Sequence, residues 1–127
     1  MCDDLIIKEL LQRIETSLQE IIEWTAHIKS ASDFASSNEG MILLNAVYMK
    51  LFAVGEEVKS LDKHTNKALL PKYPMVQWKD IIGMRDVIAH HYFGLDADQV
   101  FDTLKEEVPV LLDVIRQIKQ DLLRMSI

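Results

Sequence analysis

The stretch MILLNAVYMKLFAVGEEVKSL, residues 41–61, decides the fold. Leu43, Leu44, Val47, Met49, Leu51, Phe52, Val54 and Val58 place apolar side chains around most of a helical circumference, as in a central helix packed on several neighbours. A helix over Met41–Leu61 needs amphipathic partners, and the flanking sequence supplies them. On the N-terminal side, Leu5, Ile6, Leu10, Ile14, Leu18, Ile21, Ile22 and Ile28 recur at three- and four-residue steps, predicting a first helix from Leu5 to Ile28. The polar segment Ser30 to Gly40 separates the two. Within it, Ser36-Ser37-Asn38-Glu39 has the form of a capping box that opens the second helix.

On the C-terminal side, Pro71 and Pro74 break periodicity between His64 and Gln77, predicting a structured connection over the surface. A third helix is expected from about Trp78 to His90, with a turn at Gly94. Asp96-Ala97-Asp98-Gln99 is another capping-box form. Val100, Leu104, Val108, Leu111, Leu112, Ile115, Ile118 and Leu122 then predict one long final helix, kinked at Pro109. No period-two strand pattern, repeat or low-complexity tract appears. The expectation is an all-α, up-and-down four-helix bundle forming one domain over residues 1–127, with a structured loop before the third helix. Trp24, Trp78 and Phe101 fall at core spacing. Tyr73, between two prolines, is expected to anchor its loop, with stacking on an unpaired base as the alternative.

Composition narrows the functional classes. With 14 Lys and Arg against 20 Asp and Glu, the net charge of −6 argues against a whole-surface grip on nucleic acid. Any RNA contact must then be local, and Lys63, His64 and Lys67, followed by Lys72, Lys79 and Arg85, could supply it; ordinary solvated lysines are the bland alternative. No apolar run is long enough to span a membrane. Asp3, Asp4, Lys8 and Glu9 interrupt any leader-like apolar segment, and a single cysteine, Cys2, fits a reducing cytoplasm. His27, His64 and the carboxylates match no metal-ligand spacing, and the four glycines form no phosphate loop, so no metal or cofactor is expected.

The segment Arg85-Asp86-Val87-Ile88-Ala89-His90-His91-Tyr92 gathers a guanidinium, two imidazoles and a phenol. RNA cleavage needs a base for the 2′-OH proton, an acid for the leaving 5′-oxygen and a cation for the charged phosphorane, jobs that His and Arg suit. On a regular helix Arg85 and His90 would stand about 140° apart and ~7.5 Å apart along the axis, so they share no face. The pair becomes useful where the helix ends near His90, or where a second copy brings its own motif across a two-fold axis; the second arrangement is the one expected. Glu56, in an otherwise apolar stretch beside Gly55, could face that cleft and hold Arg85 or a motif histidine, or could be an exposed helix residue beside Glu57.

Arg85-x4-His90-x-Tyr92 resembles the R-x4-6-H motif of HEPN domains in its HepT form. Leu70-Pro71-Lys72-Tyr73-Pro74, Trp78-Lys79-Asp80-Ile81-Ile82-Gly83-Met84, Phe93-Gly94-Leu95-Asp96 and Gly55-Glu56 also look like this family. The resemblance implies a homodimeric bundle with a composite site in the dimer cleft. It also implies metal-independent ribonuclease activity and pairing with an MNT-type nucleotidyltransferase antitoxin. Arg85 would stabilise phosphate charge, His90 would be the acid or base, and Tyr92 would be silenced by AMP transfer to its hydroxyl. Asp86 stands where the family often carries Asn, which implies a weaker phosphate field or a paired arginine. His91 replaces a common Gly and also satisfies the looser motif, but only His90 keeps the H-x-Y spacing. A non-catalytic helical adaptor that binds the nucleotidyltransferase is the alternative, and the acidic charge suits it.

Overall fold

A computed structural model describes residues 2–83 and 96–125. Helix α1 spans Cys2–Trp24, α2 Ser32–Ala35 and α3 Asn38–His64. A 3-10 turn follows at Leu70–Lys72, and residues 78–83 are helical and are called α4 here. Helix α5 spans Ala97–Glu106 and α6 spans Val108–Met125. No strand occurs among the described residues, and none of the helices is long and apolar enough to cross a membrane. The expected all-helical bundle is what the chain forms.

Helix α1 packs against both α3 and α6, and its periodic residues Leu10, Leu11, Ile14, Leu18 and Ile21 are all buried. Val47, Leu51, Val54, Val58 and Leu61 of α3 meet them, as do Leu111, Ile115 and Ile118 of α6. Polar links cross the same seams. Glu15 of α1 accepts from Arg116 Nε at 3.0 Å and from Lys119 of α6, while Lys50 of α3 reaches Glu20 of α1 at 2.9 Å. The bond from Lys119, aided by Arg116, holds the Glu15 carboxyl below the usual carboxylate range although its burial works the other way.

The first helix stops earlier than its apolar spacing implies. Thr25 folds back, its Oγ1 donating to Ile21 O at 2.7 Å, and the backbone turns so that Ile28 N donates to Thr25 O at 2.9 Å. Ile28 is still buried, but as a loop residue, which is why periodicity counted it into the helix. The polar linker also hides α2, whose Phe34 is fully buried. Asp33 organises its entry by accepting from the backbone N–H groups of Lys29 and Ser30. The cap of α3 is Ser37, one residue later than the expected capping box placed it: Ser37 is extended and its side chain accepts from Gly40 N at 2.9 Å, while Ser36 is helical and ends α2.

At the other end, Asp96 caps α5 as its sequence form suggests, accepting from Gln99 N at 3.2 Å. The single kinked final helix is instead two helices. Pro109 has no N–H to donate to the carbonyl four residues back, and the chain breaks at Glu107. Bonds from Glu107 N to Thr103 O and from Leu111 N to Glu107 O carry the path across the break.

Gly40 marks where α2 presses on α3. A Cβ there would stand 2.5 Å from the backbone oxygens of both Asp33 and Phe34, atoms that cannot swing aside. Gly40→Ala should therefore lower the unfolding free energy by about 1–3 kcal/mol in a urea titration, and an unchanged midpoint would contradict this packing.

Candidate functional site

Arg85, Asp86, His90, His91 and Tyr92, and the expected helix end near His90 and turn at Gly94, lie outside the described residues. What the structure describes is the frame that delivers and receives this segment. On the entry side, α4 is pinned by the buried Ile81 and by Trp78, whose Nε1 donates to Tyr73 O at 2.8 Å. On the exit side, Asp96 caps α5 close to Tyr48 of α3. Burial raises the pKa of that buried phenol, and the Asp96 charge adds to the rise.

Tyr73 holds the loop before α4 onto the far end of α6, donating from its hydroxyl to Asp121 Oδ2 at 2.6 Å. It is the loop anchor that its place between prolines suggests. Burial, then the hydrogen bond and charge of Asp121, push its pKa up to about 12. Asp121 moves the opposite way, lowered first by the Tyr73 bond and then by Gln117. The loop therefore keeps its anchor throughout the neutral range.

Of the cationic residues expected from the sequence, Lys67 and Lys79 line one groove between the end of α3 and α4, and Arg85 lies outside the described residues. Lys63, Lys67, Lys72 and Lys79 are exposed and His64 is half-buried. Thr65 closes α3 by donating its hydroxyl to Leu61 O at 2.8 Å, and the chain then takes two left-handed residues, Asn66 and Lys67, with φ of 55° and 60°. Trp24 is not a core residue: it is 37% exposed, with Lys50 Nζ 5.3 Å from its ring centre. Trp78 and Phe101 are half-buried and pack on the core edge.

Glu56 is half-buried on α3. It continues a row in which Ile42, Ala46, Met49, Ala53 and Glu56 follow one another at alternating steps of four and three. In that row Ile42 is 70% and Met49 51% exposed, although both are apolar. Glu57 next door turns inward, where burial raises its carboxyl pKa against the pull of Arg13 and Lys50. No cluster of three or more His, Cys, Asp or Glu side chains able to hold a metal exists among the described residues.

An all-helical bundle that carries a short Arg–His–Tyr segment between a pinned α4 and a capped α5 defines a class, and comparison with known proteins fixes it. The family profile described as "Ribonuclease HepT-like" matches residues 7–118. The chain belongs to this family of RNA-cleaving enzymes. A Methanocaldococcus jannaschii protein named "Putative RNase" is 32% identical over 116 residues, covering 91% of this chain and 93% of the relative. A protein of the same description from Caldanaerobacter subterraneus subsp. tengcongensis is 33% identical over 107 residues, covering 84% and 91%. "Probable ribonuclease HepT" of Thermococcus cleftensis is 29% identical over 104 residues, covering 82% and 87%. No solved structure matches.

The Tyr73 anchor has a pH signature. A phenol whose folded pKa is raised stabilises the fold below its unfolded pKa near ~10 and loses that contribution as pH rises through its folded pKa. Stability should thus decline between pH ~10 and the folded pKa of about 12. In Tyr73→Phe this part of the decline should vanish, and the melting temperature at pH 7 should be lower by a few degrees. Thermal melts from pH 8 to 12 read both effects, and identical profiles for the two chains would contradict the anchor.

Proposed function

We propose that the chain is an endoribonuclease toxin of a two-component toxin–antitoxin system, acting on cytoplasmic RNA as a homodimer. The observation that carries the reading is membership of the HepT-like ribonuclease family over a span that includes Arg85-x4-His90-x-Tyr92. His90 takes the proton of the 2′-OH or returns one to the leaving 5′-oxygen, and an imidazole does either near neutral pH. Arg85 holds the phosphate oxygens as charge builds on the phosphorane. These groups need no metal ion to act, so cleavage should persist in EDTA. Asp86 and His91 tune the site, Asp86 through its charge beside Arg85 and His91 as a second imidazole.

The homodimer brings Arg85 of one protomer opposite His90 of the other. Supporting this pairing is the row Ile42, Ala46, Met49, Ala53 and Glu56, whose four-three spacing is that of a helix–helix seam and whose large apolar members are exposed. The row runs for roughly 21 Å along α3 and would bring Glu56 to the cleft, within reach of Arg85 or a motif histidine. Tyr92, two residues after His90 in the sequence, is the residue through which the site is silenced. An MNT-type nucleotidyltransferase antitoxin moves AMP from ATP onto its hydroxyl, the phenol oxygen displacing pyrophosphate and losing its proton, and the new phosphodiester repels and blocks RNA phosphate. The net charge of −6 favours a second reading, a non-catalytic adaptor that binds the nucleotidyltransferase without cutting RNA.

Arg85→Ala and His90→Ala should each lower RNA cleavage in EDTA by a hundredfold or more, on the order of a lost acid–base or charge-stabilising group, while gel filtration still shows the dimer. Coexpression with the nucleotidyltransferase should add an AMP mass that is absent from Tyr92→Phe. Full cleavage by both alanine variants would overturn the catalytic assignment, and an inactive, unmodified wild type would favour the adaptor.

A further inference from the structure

A groove opens between the end of α3, the 3-10 turn and α4, on the side that carries the lysines. Leu70, Pro71, Trp78 and Ile82 line it with apolar surface, Lys67 and Lys79 also line it, and it has a volume of about 340 Å3. That volume sits at the small end of ligand sites and suits one nucleotide better than a folded helix. We propose that this groove holds a single unpaired nucleotide of the RNA, its base against Trp78 and Pro71 and its flanking phosphates at Lys67 and Lys79. The proposal rests on the ribonuclease reading and assigns its substrate a place to bind outside the Arg–His pair.

Several features converge on this occupant. Single-stranded RNA is held by an aromatic platform for the base and cations for the backbone, and this groove offers both. Trp78 Nε1 is already committed to Tyr73 O at 2.8 Å, so the indole presents its ring to the groove rather than a hydrogen-bond donor. Lys63 and Lys72 are exposed close by in the chain, which concentrates positive charge locally on a protein of net charge −6.

The backbone at Lys67 supplies an independent sign. It holds φ 60°, a left-handed conformation that costs a side-chain-bearing residue energy and that glycine adopts readily. Stability alone favours glycine at such a helix end, so lysine keeps a cation at the groove at a cost to the fold. Asp62, the remaining lining residue, is a carboxylate that would repel phosphate but accepts from a base amino group or a 2′-hydroxyl. Only three peptide units separate Ile82 from Arg85, at most ~11 Å of chain, so a nucleotide in the groove lies close along the strand to the scissile phosphate.

The test uses the full chain carrying Trp24→Phe, which leaves Trp78 as its one tryptophan, and an octameric 2′-O-methyl oligoadenylate that lacks the attacking hydroxyl. Binding should quench Trp78 fluorescence. Lys67→Gly and Lys79→Ala should each weaken binding several-fold, and the pair together should reduce the salt slope by about 1.4. Trp78→Phe, whose binding is read from the polarisation of a fluorescein-labelled copy of the same oligonucleotide, should weaken it by roughly tenfold or less, as a smaller stacking face, and Lys8→Ala on α1 should leave it unchanged. Lys67→Gly should bind less tightly while melting at the same or a higher temperature, a combination that a purely structural role cannot produce. No quench, unchanged affinity in both lysine variants, or equal affinity for inorganic polyphosphate of matched charge would overturn the proposal. Cleavage of ordinary RNA is scored separately. Cutting without quench sinks the groove and leaves the ribonuclease standing, whereas quench without cutting keeps the groove and sinks the ribonuclease reading.

Discussion

Helix α1 must bury one apolar stripe against two helices at once, and the remaining geometry follows from that requirement. Ile14, Leu18 and Ile21 are completely excluded from solvent. Each such side chain contributes about 1.5–3 kcal/mol through the water it sheds. Because α3 and α6 share this stripe, their separation is fixed by the thickness of α1, and Glu15 ties the arrangement by gripping Arg116 and Lys119 of α6. The free end of α6 then receives Tyr73 through Asp121, which fixes the loop before α4. The entry to the Arg85–Tyr92 segment is thus positioned by a chain of contacts that begins in α1.

The long helices were legible because burial imposes a 3.6-residue period on the apolar residues, and α1, α3 and α6 all show it. What escaped was set by local hydrogen bonding, which leaves a fainter trace. Thr25 ends α1 through a side-chain bond that no apolar pattern encodes, and α2 is too short to have a period at all. Ser36 and Ser37 are the same residue type at adjacent positions, and only the backbone decides which of them caps α3. Pro109 marks the right place, but its effect exceeds a kink: with helix on both sides, loss of one N–H is enough to separate α5 from α6.

The candidate site divides in the same way. Arg85, His90 and Tyr92 stand out in the sequence because charged, imidazole and phenol groups crowd into eight residues, and the family match spans that segment. Glu56 lies on one row of α3 with Ile42 and Met49, two exposed apolar residues, a three-dimensional property invisible to composition. The lysines between positions 63 and 79 read in the sequence either as a local RNA contact or as ordinary surface, and only Lys67 and Lys79 gain a shared place, in the groove they line. Trp24, placed in the core by spacing, stands at the surface because α1 ends there and a cation covers its ring instead.

The central claim is that each RNA-cutting centre takes Arg85 from one protomer and His90 from the other, and a mixing experiment tests it most directly. Arg85→Ala and His90→Ala chains, each inactive alone, are unfolded together, refolded at equal amounts and assayed on RNA in EDTA. If the centres are shared across the two-fold axis, half the dimers are mixed and each rebuilds one intact centre, so activity returns to about a quarter of the wild-type level. If the mixture stays as inactive as its parents while gel filtration and mass analysis show mixed dimers, Arg85 and His90 do not meet across the interface, and the composite site is wrong.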